Sequence, residues 1–217
     1  MNRREFTAGT ACAIALASLG LPQFALAQGK KPEDGTDYRK LDKVLPVEAP
    51  AGKIEVVEFF WYSCPHCNAF EPKLVAWSKK LPPDVVLRRV PVAFRDDFVP
   101  QQRLFFTLQA MGKVDEMQSK VFEAIHVRRE PTNTEATIVA WAEKAGLDKA
   151  KFQELYNSFS VQSRTRAATQ LQNAYGVEGV PALGIAGRYY TDGTMAGTTD
   201  RSLQVADYLI AEVRKAK

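Results

Sequence analysis

Hydrophobic and polar positions change their period several times along this chain. Ile54-Glu55-Val56-Val57-Glu58-Phe59-Phe60 is dominated by β-branched and aromatic residues, which predicts a buried strand. A second strand is expected from Val85 to Val92, after the turn residues Pro82-Pro83-Asp84. Between them a helix is predicted from Pro65 to about Lys80. Pro65 suits its first position, where a missing N–H costs nothing, and Pro72 lies inside it as a source of kinking. The period then lengthens to about 3.6. Leu104, Leu108 and Met111 share one helix face, as do Met117, Val121 and Ile125, and then Ile138, Trp141 and Ala145. Gly146 reads as a stop and Asp148 as the next N-cap. Val161, Ala168, Leu171 and Tyr175 continue the helical pattern to Gly176. Ala182 to Ala186 and Tyr189-Tyr190 predict a hairpin turning at Gly187-Arg188. Asp200 is placed to cap a last helix with Leu203, Ala206, Leu209, Ile210 and Val213 facing inward. The polar stretch 30–37 reads as a loose leading segment.

The order strand–helix–strand, helical block, strand–strand–helix fits an α/β sheet interrupted by a helical insertion at roughly residues 98–165. The 217 residues suffice for one compact domain with such an insertion. The formal charge of +4 is modest and both signs are mixed along the chain, so composition offers no nucleic-acid footprint.

The first residues change the picture further. Arg3 and Arg4 precede an apolar, Ala-rich run from Ala8 to Leu21, and Ala25-Leu26-Ala27 forms a small-x-small site before Gln28. That pattern predicts an export signal over residues 1–27, in preference to a membrane anchor, for which the run is short and rich in small residues. Arg3-Arg4-Glu5-Phe6 also resembles a twin-arginine signal, which leaves the export route open. Cleavage would remove Cys12 and leave two cysteines, Cys64 and Cys67. A bridge between them closes too short a loop to restrict the unfolded chain much, so the pair points to chemistry, not stapling.

Cys64-Pro65-His66-Cys67 places two thiols where a disulfide opens and closes with little backbone movement. Cys64 is expected at the helix start, where backbone N–H groups and the helix dipole favour a thiolate. Cys67, one turn in, is expected to be the resolving thiol, and a protonated His66 would stabilise the Cys64 thiolate further. The rival reading is half of a zinc site. It has few further ligands, because His66 and His126 are the only histidines. His126 is expected to be an ordinary helix-surface residue. Glu58 stands within an apolar run, where a carboxylate is costly unless paired or protonated; alternation with Val57 and Phe59 offers the other reading, that it simply turns to solvent.

Glu58-Phe59-Phe60-Trp61-Tyr62-Ser63-Cys64-Pro65-His66-Cys67, with Phe70 and Glu71 beyond it, resembles the active-site segment of DsbA proteins. Gly179-Val180-Pro181-Ala182 resembles that family's cis-proline loop, and Pro72 the helix-kinking proline of thioredoxins. The resemblance runs from about Tyr38 to the C-terminus. It implies an α/β thioredoxin fold (residues 28–97 and 166–217) with an inserted α-helical domain (98–165). It implies a periplasmic, monomeric dithiol oxidase that introduces disulfides into reduced, unfolded exported proteins through Cys64 and Cys67, without a cofactor other than that redox-active pair. A DsbB-like membrane quinone reductase would reoxidise it. Val180-Pro181 would be cis, face the disulfide and offer backbone groups to an extended substrate. Glu58 would be a buried acid beneath the site with Arg89 as partner, whereas Glu71 is expected to be a solvated helix residue. Trp61, Tyr62 and Phe59 would be core or groove lining. An isomerase or reductase using the same motif, and a redox-inert metal carrier or holdase, are the competing readings.

Overall fold

A computed structural model of the protein describes residues 30–216; the export signal expected at residues 1–27 lies outside them. Five strands form one sheet: β1 (Arg39–Lys40), β2 (Ile54–Phe60), β3 (Val85–Pro91), β4 (Ala182–Ile185) and β5 (Tyr189–Asp192). Their order across the sheet is β1-β5-β4-β2-β3, with β2 and β3 parallel and the other neighbours antiparallel. Helix α1 (Pro65–Ser78) is the crossover between β2 and β3. Five further helices separate β3 from β4: α2 (Val99–Ala110), α3 (Val114–His126), α4 (Glu135–Lys144), α5 (Lys149–Tyr156) and α6 (Phe159–Ala174). The last helix, α7, spans Thr199–Lys215.

Every residue of β2 is buried, because the strand lies between β4 and β3 and helices cover both its faces. Ile54 and Val56 pack with Phe70 and Leu74 of α1 and with Leu209 and Ile210 of α7. Val57 and Phe59 point the other way, into a core shared with Leu104, Phe105, Val121 and Phe122 of the helical block. Strand alternation therefore turns Glu58 toward α1, not toward solvent.

Local chemistry moves several predicted boundaries. The hairpin turns one residue earlier than expected, with Ala186 (φ 54°) and Gly187 (φ 66°) both left-handed and Arg188 N–H closing on the Ile185 carbonyl. A Cβ on Gly187 would lie 2.2 Å from the Leu45 carbonyl oxygen, so only glycine fits there. Helix α7 is capped by Thr198, whose side chain accepts from Arg201 N–H, and not by Asp200. Asp200 instead sits in the first turn and pairs with Lys73. Residues 33–38 are not loose: Asp37 N–H bonds the Glu33 carbonyl, and the Thr191 hydroxyl donates to the carbonyl of Asp37. Among the described residues no helix is long and apolar enough to cross a membrane.

Candidate active site

Strand β2 delivers the chain to a tight turn over residues 61–64, closed by Cys64 N–H on the Trp61 carbonyl at 3.1 Å. Cys64 is the N-cap of α1, with extended backbone (φ −80°, ψ 117°), and Pro65 follows in the first turn. The Cys64 sulfur accepts from Cys67 N–H at 3.4 Å. Its pKa is lowered to about 6, chiefly by the hydrogen bond from the Cys67 thiol. The backbone N–H groups of Cys67 and His66 and the His66 charge add to this, and burial opposes it. His66 itself is exposed.

Cys67 lies one turn deeper, on the buried face of α1 with Phe70, Glu71 and Leu74. Burial pushes its thiol well above the ordinary value, and the neighbouring Cys64 sulfur and the Glu58 charge push the same way. Both cysteines are free thiols here.

The segment between α6 and β4 closes the site from the opposite side. The Val180–Pro181 bond is cis, and the Cys64 thiol donates to the Val180 carbonyl at 3.4 Å. That segment is held at its start by Arg39, whose guanidinium donates to the carbonyls of Tyr175 and Gly176 at the end of α6.

Beneath the cysteines, Glu58 is fully buried and accepts from Arg89 at 2.7 Å, its register partner on β3. The expected partner is thus in place, but it is shared. Arg89 also grips both oxygens of Glu71, at 2.6 and 2.9 Å. Glu71 is only 6 % exposed, so the expectation of a solvated helix residue is corrected. The signal was in the spacing: 67, 70, 71 and 74 form one helix stripe, and a charge on that stripe demands a buried counter-charge. One guanidinium faces two carboxylates, and the second oxygen of Glu58 has no hydrogen-bond partner among the described residues. Burial, set against Arg89 and reinforced by Glu71, holds the Glu58 carboxyl up at about 7.

His126 also departs from expectation. It is half-buried at the end of α3, and its Nε2 donates to the Tyr62 carbonyl at 2.8 Å. Sequence reasoning missed Gln101 altogether. This buried α2 residue accepts from Ser63 N–H at 3.2 Å and donates to the Ser63 hydroxyl at 2.7 Å. Both contacts cross large sequence separations that periodicity does not encode. Of the aromatics, Phe59 and Tyr62 are core residues, and Trp61 stacks on Phe98 at 3.8 Å. Among the described residues, no group of three or more His, Cys, Asp or Glu side chains is placed to hold a metal ion.

An acidified thiol at a helix N-terminus, a buried partner thiol one turn in, and a backbone segment set against them define a thiol–disulfide exchange site on a thioredoxin fold. The sequence matches the family described as DSBA-like thioredoxin domain over residues 55–209. It is 40% identical to the thiol:disulfide interchange protein DsbA of Burkholderia cepacia, covering 93% of this chain and 96% of that one. The Pseudomonas aeruginosa protein of the same name is 41% identical, with 94% of each chain covered. Among solved structures, that of Pseudomonas aeruginosa DsbA aligns with a TM-score of 0.80 at 42% identity, covering 84% of this chain and 94% of that chain. The oxidoreductase DsbA from Xylella fastidiosa aligns with a TM-score of 0.79 at 31% identity, covering 85% and 99%. The chain therefore belongs to the DsbA family of the thioredoxin superfamily, and it is a thiol:disulfide oxidoreductase.

Proposed function

We propose that the protein works as a dithiol oxidase in the periplasm, with Cys64 as the attacked sulfur. The observation that carries this reading is the place of Cys64 as N-cap of α1, with its sulfur accepting from Cys67 N–H, an arrangement that lowers its pKa to about 6. A sulfur stable as a thiolate is a good leaving group and favours the reduced form, which makes the Cys64–Cys67 disulfide an oxidant. A substrate thiolate attacks Cys64 of that disulfide, forming a mixed disulfide and releasing the Cys67 sulfur, which takes up a proton. A second substrate thiolate then attacks the substrate sulfur and displaces the Cys64 thiolate. The substrate gains a disulfide, and the two electrons remain on Cys64 and Cys67.

The remaining residues take supporting parts in this scheme. Pro65 starts the helix, and His66 contributes its backbone N–H and its charge. Val180 and Pro181 line the path of an extended substrate, with the Val180 carbonyl occupied by Cys64 only while that sulfur carries a proton. Glu58, with a pKa of about 7, is suited to exchange protons near Cys67 at neutral pH. Reduced, unfolded exported proteins are the substrates, and a DsbB-like membrane quinone reductase restores the disulfide. The protein acts as a monomer. Residues 1–27 direct export, residues 28–97 and 166–217 carry the redox site, and residues 98–165 form the inserted helical part.

Equilibrating the Cys64–Cys67 pair with glutathione tests the reading. A pair reduced far more readily than that of thioredoxin supports an oxidase. A thioredoxin-like value overturns the direction and favours a reductase.

A further inference from the structure

The three residues before Cys64 are each held by the helical block. Trp61 stacks on Phe98, ahead of α2. The Tyr62 hydroxyl donates to Gln118 of α3 at 2.7 Å, and the Tyr62 carbonyl accepts from His126 at 2.8 Å. Ser63 is bonded through both its N–H and its hydroxyl to Gln101 of α2. Tyr62 and Ser63 are the central residues of the turn that Cys64 N–H closes on the Trp61 carbonyl. The two polar ends of the peptide unit joining them, the Tyr62 carbonyl and the Ser63 N–H, are thus gripped by two different helices. The middle peptide unit is the freest part of a β-turn, since its rotation distinguishes the common turn types.

We infer that the helical block aims the exchanging sulfur: Gln101 and His126 are positioning residues that fix the Tyr62–Ser63 peptide unit and thereby orient Cys64. The clamp is itself anchored. The Gln101 carboxamide also donates to the carbonyl and hydroxyl of Thr132, in the connection between α3 and α4. The His126 ring stacks on Phe122, which is in the core. A rocking peptide unit would move the backbone of Cys64 directly, and with it the 3.4 Å contact between its sulfur and Cys67 N–H. Small misplacements of this kind act strongly on rate, because the reacting atoms must meet in line. The insertion therefore contributes to the reactivity of the cysteines and is more than a cover for the sheet.

The inference rests on Cys64 being the sulfur that exchanges with substrate, so the experiment reads that sulfur first. In the reduced, unaltered protein, iodoacetamide should alkylate Cys64 rapidly. Gln101→Leu and His126→Phe each remove the hydrogen bonds while keeping bulk. Both should shift the thiolate absorbance midpoint to higher pH and slow reaction of the oxidised protein with a reduced dithiol peptide by roughly ten- to a hundredfold. His126→Gln, which restores an N–H donor, should recover most of the rate. Denaturant unfolding run alongside reports stability separately. Variants that lose stability but keep the midpoint and the rate overturn the inference. If Gln101→Leu fails to fold, the His126→Phe and His126→Gln pair decides. An unreactive Cys64 in the unaltered protein overturns its assignment as the exchanging sulfur and the inference with it; a reactive one with unmoved variants overturns the inference alone.

Discussion

Cys64 and Cys67 are the same residue type three positions apart, yet the protein drives their acidities in opposite directions. Cys64 stands at the mouth of α1 with N–H groups aimed at its sulfur, and its pKa falls to about 6. Cys67 sits one helical turn inside, wholly buried, and its thiol rises well above the ordinary value. Position along a single helix turn divides the labour: the outer sulfur is stable as an anion, the inner one as a neutral thiol. The most drastic way to break the comparison is to remove each in turn. Cys67→Ala takes away the intramolecular attack that reverses a mixed disulfide. That disulfide should then persist with a lifetime longer by orders of magnitude. Cys64→Ala should trap almost none. Mass spectrometry of complexes formed with a disulfide-bonded cysteine peptide, one of whose sulfurs leaves as the protein thiolate attacks the other, reads both, and equal trapping would show that the two sulfurs are equivalent.

The same contrast predicts that the reduced protein is more stable than the oxidised one at neutral pH. The disulfide closes too short a loop to restrict the unfolded chain much. Reduction supplies a thiolate whose folded pKa, about 6, lies below its unfolded value. For a depressed acid, the stabilisation is complete above the unfolded pKa and disappears as pH falls through the folded one. With an unfolded value of about 8.5, linkage leaves on the order of 1 kcal/mol at pH 7 and almost nothing at pH 5. The raised pKa of Cys67 has the opposite effect, but only where an unfolded thiol ionises, so pH 5 to about 8 separates Cys64 from Cys67. Denaturant unfolding of both redox forms across that range is the measurement. A gap that fails to shrink on acidification would mean that the thiolate is not its source.

How much of this division was legible beforehand depends on how far apart the participants lie in the chain. The cysteines and Pro65 occupy one strand–turn–helix segment, where spacing alone fixes the geometry. The pairing of Glu58 with Arg89 was reached only through the resemblance to DsbA proteins, and the parallel register of β2 and β3 is the physical reason it forms. Glu71 was misjudged because α1 carries a polar residue on its buried stripe, and a periodicity reading counts polar as outward. Gln101 and His126 were out of reach for a different reason. Their bonds to Ser63 and Tyr62 span 38 and 64 positions and follow from how the helices pack, which no local pattern states. The shift of the α7 cap from Asp200 to Thr198 is a smaller case: both side chains are competent caps, and the pairing of Asp200 with Lys73 fits the outcome.

A smaller effect is expected beneath the sulfurs, where three charged groups share one buried space. Glu58 has a folded pKa raised to about 7, so between its unfolded value of 4.5 and pH 7 the folded state holds the extra proton. Its contribution to stability therefore declines as pH rises through that window. Glu58→Gln should flatten this decline. It should also change the rate of Cys67 release by roughly fivefold above pH 7, the size of a ~1 kcal/mol charge interaction. Stopped-flow rates and unfolding curves at several pH values read the two together. A variant with the parent's pH profile would show that Glu58 does not sense the cysteines.

The finest test asks which part of His66 acts on Cys64. The neighbouring Cys67 thiol and backbone N–H groups rank ahead of the His66 charge as causes of the lowered pKa. The His66 side chain is exposed, and water and salt weaken charges in such positions. His66→Ala deletes the ring and keeps the N–H. It should therefore slow reaction with a reduced peptide only roughly twofold, and less still at high salt. His66→Pro deletes the N–H as well, in a helix turn that tolerates proline, and should act more strongly. Comparing the two by thiolate absorbance and rate at low and high salt separates charge from hydrogen bond. If His66→Ala matched His66→Pro, the side chain and not the helix terminus would set the acidity of Cys64. The difference between the two sulfurs would then rest on one exposed residue instead of on their places in the helix.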